Sequence, residues 1–495
     1  MKTGCVLADM GTVADPARLV FLGVPFHNVT FDETIAWSLK RIRCRRPGYI
    51  VAANLDFLMQ AWKDPELQRI LIDADLVIAD GMSVVMLSGF FGPKLKERVM
   101  AGDLVSVIAG PLAENGMSVF GLGAAPGMAQ TALDNLQRAN PGLKIAGAYS
   151  PPNADILDMN NSEIVDTVSK AEPDMLLLAF GAPKQEKWIN MNIDQLNVPV
   201  SIGIGESLDF IAGAQKRAPK VFRAVGMECF WRMLSNPKRL SVRYIKNIFF
   251  LMTAIVRVVF IRFFVSGRIA NPVEIDPQDL AKFQAQSIPY ENIASEMKSG
   301  RLRALTKSAT ERLAPVLDLR SVKWLNSVEI GTLLDLSREC GRNGKRLYLV
   351  NVTPRIKRFL MMSRLHHYLQ MPESVSGLAA DLRILTHVSD SWIDHSADES
   401  QVRIMLPMEI TAANRERLEA ELEKVWVEVV SPRPDHSLFV DASGLDFVDS
   451  SGLGFLASLN KRAVGENRQI VWHGFHGKAR KTIEISRMEA VFRIN

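Results

Sequence analysis

The sequence predicts an α/β protein: a Rossmann-like N-terminal domain on a mainly parallel sheet, followed by two smaller α/β modules. Three observations predict this. Short apolar runs alternate with amphipathic segments from residue 17 to about 245, the pattern of repeated strand–helix units. Polar and glycine-rich clusters stand directly after several of those runs, where parallel sheets hold their ligands. Finally, the stretch 316–334, VLDLRSVKWLNSVEIGTLL, recurs as FVDASGLDFVDSSGLGFLA at 439–457.

The composition bounds the class. The chain has 495 residues, 47% hydrophobic and 23% charged, too apolar for a largely disordered protein. At roughly 100–200 residues per domain, two to four domains are expected. A net charge of +5, from 59 basic and 54 acidic residues, is only mildly basic, so no nucleic-acid partner is expected. Cys5, Cys44, Cys229 and Cys340 lie far apart without a CxxC. That argues against a disulfide framework or structural zinc and for a reducing cytosol. The first 20 residues contain Asp9, Asp15 and Arg18 and lack the apolar core of a signal peptide.

Taken in order, Tyr49–Ala53 reads as a strand with Asn54 directly behind it, and 55–74 has helical spacing. Leu76–Ala79 is the next strand and runs into Asp80-Gly81. A carboxylate there can act as general base, or simply cap the following helix. In ERVMAGDL (97–104), Arg98 suits bidentate phosphate contacts and stands near Asp103; a surface ion pair with Glu97 or Asp103 is the alternative. A strand over 118–121 leads into GLGAAPG (121–127), where Gly121 and Gly123 let backbone amides approach phosphate. The spacing is not the dinucleotide fingerprint, and a plain turn remains open.

Stretches 127–139 and Asn161–Ala171 read as helices, and 175–180 and 198–204 as strands. Behind the first of these strands comes FGAPKQEKW, in which Lys184 can neutralise a diphosphate while Gln185 and Glu186 bond sugar hydroxyls or a base edge. Behind the second comes GIGESLDF, with Gly203, Gly205 and Asp209. Such polar clustering after buried strands is costly unless it lines a cavity. Asp73-Ala-Asp75 imitates the DxD metal motif of some sugar-nucleotide enzymes, but it precedes a strand and is expected to be a solvated loop. The histidines form no metal-ligand set, so no essential metal is expected, although Mg²⁺ can accompany a diphosphate.

The segment 238–268 differs. Its apolar run 248–256 lies between basic flanks of Arg239, Arg243 and Arg268, and Lys246, Arg257 and Arg262 interrupt the apolar residues. A spanning helix wants about 20 mostly apolar residues, and each central arginine costs roughly 2.5–3.5 kcal/mol. A helix lying in the membrane interface fits better, its basic residues on anionic headgroups; a buried helix and a true span are the alternatives.

A linker around 271–286 precedes the repeat. Placing Asp318 on Asp441 puts Asn326 on Asp449, Ser327 on Ser450 and Gly331 on Gly454, at a spacing of 123 residues. Each copy reads as strand, loop, polar cap and helix. Strands at 345–351 and 468–473 follow, then basic helices at 355–369 and 478–490. The period is too long for a solenoid, so this is a tandem pair of domains, divided near 389–400.

Asn54, ADLVIADGMSVV, ERVMAGDL, GLGAAPG, PDMLLLAFGAPKQEKWI and IGIGESLDFIAGAQKRAPK, closed by MECFWRMLSNPKRLSVRY, occur in that order. Across residues 20–245 the chain thereby resembles the WecG/TagA/CpsF glycosyltransferase family. The resemblance implies a Rossmann-like inverting enzyme. It would move N-acetylmannosamine, its uronic acid or a hexose from a UDP-sugar to a polyprenyl-diphosphate-linked acceptor in cell-surface or exopolysaccharide synthesis. It puts the base on Asp80 and polar contacts on Asn54, Arg98, Gln185 and the glycine loops. Some members carry Thr two positions before the Asn; here that position is Ala52. Members reach the membrane through a basic, apolar appendage, which agrees with the reading of 238–268 and implies a cytoplasmic protein on the inner membrane face.

The second repeat resembles the STAS domain, and the first is a weaker match. In the antagonist proteins of that family the second Ser of DSSG is phosphorylated, which corresponds to Ser451; the first copy has Val328 there. Helix capping by Ser450 and Ser451 is the plain alternative. The expected organisation is thus 1–245 transferase, 246–270 membrane-contact helix, 285–388 degenerate STAS-like domain and 400–495 STAS domain, the pair regulating the enzyme or binding a protein partner. A second reading is a catalytically inactive STAS scaffold that binds nucleotide.

Overall fold

The computed structural model describes residues 16–91, 93–214, 249–256, 260, 285–289, 314–322, 324–342, 346–372, 378, 393–398, 400–412 and 414–492. The motifs RAPK and MECFWRMLSNPKRLSVRY, and the basic flanks of 238–268, lie outside them.

The N-terminal domain runs β1 (Arg18–Phe21), β2 (Val24–His27), α1 (Phe31–Arg43), β3 (Tyr49–Ala53), α2 (Leu55–Ala61), α3 (Pro65–Asp73), β4 (Leu76–Ala79), α4 (Met82–Phe91), α5 (Ala101–Glu114), β5 (Ser118–Gly123), α6 (Met128–Ala139), β6 (Lys144–Tyr149), α7 (Asn161–Ala171), β7 (Met175–Ala179), α8 (Lys184–Leu196), β8 (Val200–Gly203) and α9 (Ser207–Ala212). Six strands form one parallel sheet in the order β4-β3-β8-β7-β5-β6. Successive residues of a strand face opposite sides. Tyr49, Val51 and Ala53 therefore enter one apolar core while Ile50 and Ala52 enter the other. Burial on both faces is why these strands read as continuous apolar runs.

Three details differ from the sequence reading. The helical stretch 55–74 is broken in two, because Asp64 caps α3 by accepting from the amides of Glu66 (3.0 Å) and Leu67 (3.2 Å), with Pro65 beginning the new helix. The hairpin β1–β2 turns on Leu22 and Gly23, both at positive φ, a turn that Asn-Gly usually announces. Strand β6 lies at the sheet edge, only partly buried, and its pairing with β5 is irregular.

A helix over residues 249–256 lies on the first core through Phe250, Leu251, Ala254 and Ile255, with Phe250 edge-on to Trp62 at 5.8 Å. Its opposite side leaves Phe249 71%, Met252 56% and Val256 62% exposed, and Phe260 is 58% exposed. Among the described residues no helix is long and apolar enough to cross a membrane.

The first repeat forms β9 (Ala285–Pro289), β10 (Ala314–Asp318), α10 (Ser327–Arg342), β11 (Tyr348–Val350) and α11 (Pro354–Met362), with a parallel sheet in the order β11-β10-β9. The second forms β12 (Asp394–Ala397), β13 (Gln401–Met405), β14 (Glu409–Ile410), α12 (Arg415–Val425), β15 (Ser437–Asp441), β16 (Phe447–Val448), α13 (Ser450–Gly465), β17 (Ile470–His473), α14 (Gly477–Ile485) and α15 (Glu489–Phe492). Its main sheet has the order β12-β13-β15-β17. The alignment of the repeats survives in atomic detail. Asn326 Oδ1 accepts from the amides of Val328 and Glu329, as Asp449 Oδ1 accepts from Gly452 at the start of α13. Asp449, and neither serine, is the cap; Ser450 and Ser451 are buried.

Candidate functional site

Five of the polar clusters singled out in the transferase half stand on one edge of one sheet, because each follows a parallel strand; Arg98 and Asp103 come instead from the α4–α5 connection and the start of α5. Reading across, Asp80 follows β4, Asn54 follows β3, Gly203–Gly205 close β8, Phe180–Lys184 follow β7 and Gly121–Gly123 end β5. At about 4.8 Å per strand, Asp80 and the β5 turn are roughly 19 Å apart.

At the β4 end, the Asp80 amide donates to Ala53 O at 3.0 Å, tying it to β3. Val99 N donates to Ala79 O at 3.0 Å, so the half-buried Arg98 is held to the same strand end. Its neighbour Glu97 accepts from the Phe31 amide at 2.9 Å. Asn54 caps α2, its Oδ1 accepting from Asp56 N (3.0 Å) and Phe57 N (3.3 Å), and its Cβ lies 3.7 Å from where a Gly81 side chain would begin. Asp103 lies in the first turn of α5. Ala52, 6% exposed, is part of the second core.

The β8–β7 corner is tightly braced. Gln185 is 4% exposed; its Oε1 accepts from Gly205 N at 3.2 Å and its Nε2 donates to Glu186 Oε1 at 2.8 Å. A Cβ on Gly203 would meet Gln185 Nε2 at 2.4 Å and Glu186 Oε1 at 2.7 Å, so a larger residue there would displace both side-chain ends. Gln185 and Glu186 thus sit beneath the glycine turn and shape it. Glu186 Oε2 is buried without a hydrogen bond, and burial pushes its carboxyl up to about 7. The expectation that Glu186 simply bonds a ligand missed this near-neutral acid.

Lys184 donates to Ala154 O and lies over the Phe180 ring at 5.5 Å; burial lowers its pKa. At β5, Gly123 has φ +99°, and a Cβ there would meet Phe180 Cδ1 at 2.8 Å and the Ala179 backbone at 2.9 Å. Gly121 lets Ala129 and Leu133 of α6 close onto the strand. Asp209, in the first turn of α9, has its pKa raised by burial and then by Glu206.

Two sequence expectations change here. Asp73 and Asp75 are not a solvated loop: Asp73 pairs with Arg69 at 2.5 Å, and Asp75 pairs with Arg41 (3.0 Å) and with Arg338 of the first repeat (3.1 Å). Ser451 is 2% exposed, packed where α13 meets the transferase domain. Among the described residues no group of three or more His, Cys, Asp or Glu gathers to hold a metal.

Comparison with known proteins finds three family matches along the chain. The glycosyl transferase WecG/TagA/CpsF family model matches residues 19–262, a STAS domain model matches 293–377, and the MlaB-type STAS model matches 393–493. The N-acetylglucosaminyldiphosphoundecaprenol N-acetyl-β-D-mannosaminyltransferase of Bacillus spizizenii is 32% identical over 192 residues, 39% of this chain and 73% of the relative. The enzyme of the same name from Staphylococcus aureus strain MW2 is 28% identical over 231 residues, 46% of this chain and 89% of the relative. With a mixed α/β fold, a six-stranded parallel sheet and this likeness, the chain belongs to the WecG/TagA/CpsF glycosyltransferase family and carries two STAS domains behind the enzyme.

Proposed function

We propose that the enzyme moves a sugar from a UDP-sugar to a polyprenyl-diphosphate-linked acceptor, with inversion, at the carboxyl edge of the six-stranded sheet. The observation that carries the reading is the corner where Asp80, Asn54 and the Arg98 loop converge on the ends of β3 and β4. The acceptor hydroxyl attacks the anomeric carbon while UDP leaves. Asp80 takes the hydroxyl proton. Arg98, Lys184 and the amides of the glycine turns offset the charge that develops on the departing diphosphate, and Gln185 and Glu186 hold the β8 turn in place. The names of the relatives make N-acetylmannosamine the first donor sugar to test and N-acetylglucosaminyl-diphosphoundecaprenol the first acceptor.

The side of the 249–256 helix that faces away from the core supports contact with a lipid surface. Phe249, Met252, Val256 and Phe260 follow one another at helical spacing and are exposed. A lipid-linked acceptor would be met there without a spanning helix.

The test is UDP release by the purified full chain from a panel of UDP-sugars with a lipid-diphosphate acceptor. Asp80→Asn should lower turnover at least about a hundredfold and leave UDP affinity nearly unchanged. Near-normal turnover would remove Asp80 from the base role. UDP binding without transfer from any donor would favour the inactive scaffold.

A further inference from the structure

The second STAS domain touches the enzyme at a buried charged seam. Ser450 begins α13, and its amide donates to Glu66 Oε1 of α3 at 2.6 Å. The start of a helix leaves amides unsatisfied. Here Asp449 satisfies Gly452 at 2.8 Å from within the module, and Glu66 satisfies Ser450 from the other domain. Glu66 is 1% exposed, and its second oxygen lies 2.6 Å from Lys187 Nζ of α8. Lys187 also pairs with Asp64 at 2.8 Å. Burial alone would lower the Lys187 pKa, but Glu66 and Asp64 outweigh it and raise it. Lys187 stands two residues beyond Gln185 and one beyond Glu186 in the first turn of α8, and Gln185 holds Gly205.

We propose that Glu66 is a positioning residue through which the second STAS domain sets the transferase site: the Ser450 amide fixes Glu66, Glu66 fixes Lys187, and Lys187 fixes the turn of α8 that braces the Gly203–Gly205 loop. The link is physically continuous. Its contacts are short and buried, with Glu66 1% exposed and 2.6 Å from both the Ser450 amide and Lys187 Nζ. Withdrawing α13 removes an N–H from a buried carboxylate and leaves Lys187 to balance two acids alone. The structure thus gives the appended module a route to the enzyme's donor side, so a ligand or modification that pulls α13 away would be felt there. The inference rests on the reading of the β8 turn as donor-binding.

Ser450→Pro tests it without altering any transferase residue. Proline suits the first position of a helix and removes the N–H donor, Asp449 before it is already extended at φ −97° and ψ −178°, and Ser450→Ala, which keeps the N–H, controls for the lost hydroxyl at this buried position. In the full chain, amide hydrogen exchange should rise at 203–209 as well as at 450–453, and UDP affinity should fall by at least about fivefold, the lower end of ordinary coupling between sites. The KM for donor should rise more than kcat falls. Glu66→Ala should reproduce the effect, and Glu66→Gln, which keeps the Ser450 acceptor, should restore part of it. Faster exchange at 450–453 with 203–209 and UDP affinity unchanged would overturn the coupling. Should the parent chain bind no UDP, the donor-site reading fails, and the exchange at 203–209 still decides the coupling.

Discussion

The two STAS domains share a strand–cap–helix plan but are joined to the enzyme by different chemistry. The first shares its core with the transferase: Val20 of β1 and Ile72 of α3 belong to the same apolar cluster as Leu317, Leu333 and Leu349. The buried Arg18 pairs with Asp335 of α10 at 3.1 Å and donates to Ile72 O (2.9 Å) and Ala74 O (3.0 Å). The second domain keeps its core to itself and meets α3 through Glu66, Asp449 and two cations lying on rings. Arg69 and Lys478 both lie over Tyr368 of the first STAS domain and Phe447 of the second, at 5.1–5.9 Å. Apolar sharing makes the first domain inseparable from the fold. A seam of titratable groups makes the second one adjustable.

The strongest way to break this contrast is Arg18→Ala. It takes a buried donor from each of the Ile72 and Ala74 carbonyls, so about 2–4 kcal/mol of stability should go. Chemical denaturation should show the transferase and first STAS domain failing together, with the second domain's transition surviving. A separate transition for the transferase alone would contradict the shared core.

Next come the paired glycines of the repeat. A Cβ on Gly331 would lie 2.4 Å from Arg18 O, whereas one on Gly454 has no neighbour nearer than 3.9 Å. Gly331→Ala should therefore cost about 1–3 kcal/mol, while Gly454→Ala, in a helix interior, should gain roughly 0.5–1 kcal/mol. Equal shifts of melting temperature would mean that the two helices face the enzyme alike.

The last is a pH dependence carried in part by the second seam. Burial, and then Glu66, push the Asp449 carboxyl up to about 7 from an ordinary 3.8. The folded chain therefore holds a proton that the unfolded chain has lost between those values. The stabilisation is complete below about pH 4, is lost as pH rises through 7, and is absent above that. Lys187, Glu66 and Asp64 face the same seam, and Glu186, also raised to about 7, adds a slope of the same sign. His27 and His366, lowered by burial, and Lys478, lowered to about 8, add slopes of the opposite sign in the parent chain and the variant alike. Between pH 5 and 7, melting temperature should therefore fall less steeply with pH, or rise more steeply, in Asp449→Asn than in the parent chain. An unchanged slope in that variant would remove Asp449 from the seam's titration.

Much of this was legible beforehand. Tyr49–Ala53, Leu76–Ala79 and Asn161–Ala171 were readable to the residue, since doubly buried strands make uninterrupted apolar runs and caps bound helices. The hairpin was not, because Leu22 occupies a turn position that carries no sequence signal. Asn54, Asp80, Lys184, Gln185 and the glycine turns were legible as a set because each follows a strand, and a parallel sheet brings strand ends to one edge; Arg98 and Asp103 carried no such signal.

The sequence by itself therefore determined the layers, the repeat and which polar residues share the carboxyl edge, since these follow from local periodicity and chain direction. Only the tertiary structure decided what those residues touch. The Ser450–Glu66 contact joins positions 384 residues apart. Asp75 leaves solvent to pair with Arg338, and Glu186 becomes a buried acid near neutrality. Burial and long-range pairing set these properties, and both depend on atoms that arrive from distant parts of the chain.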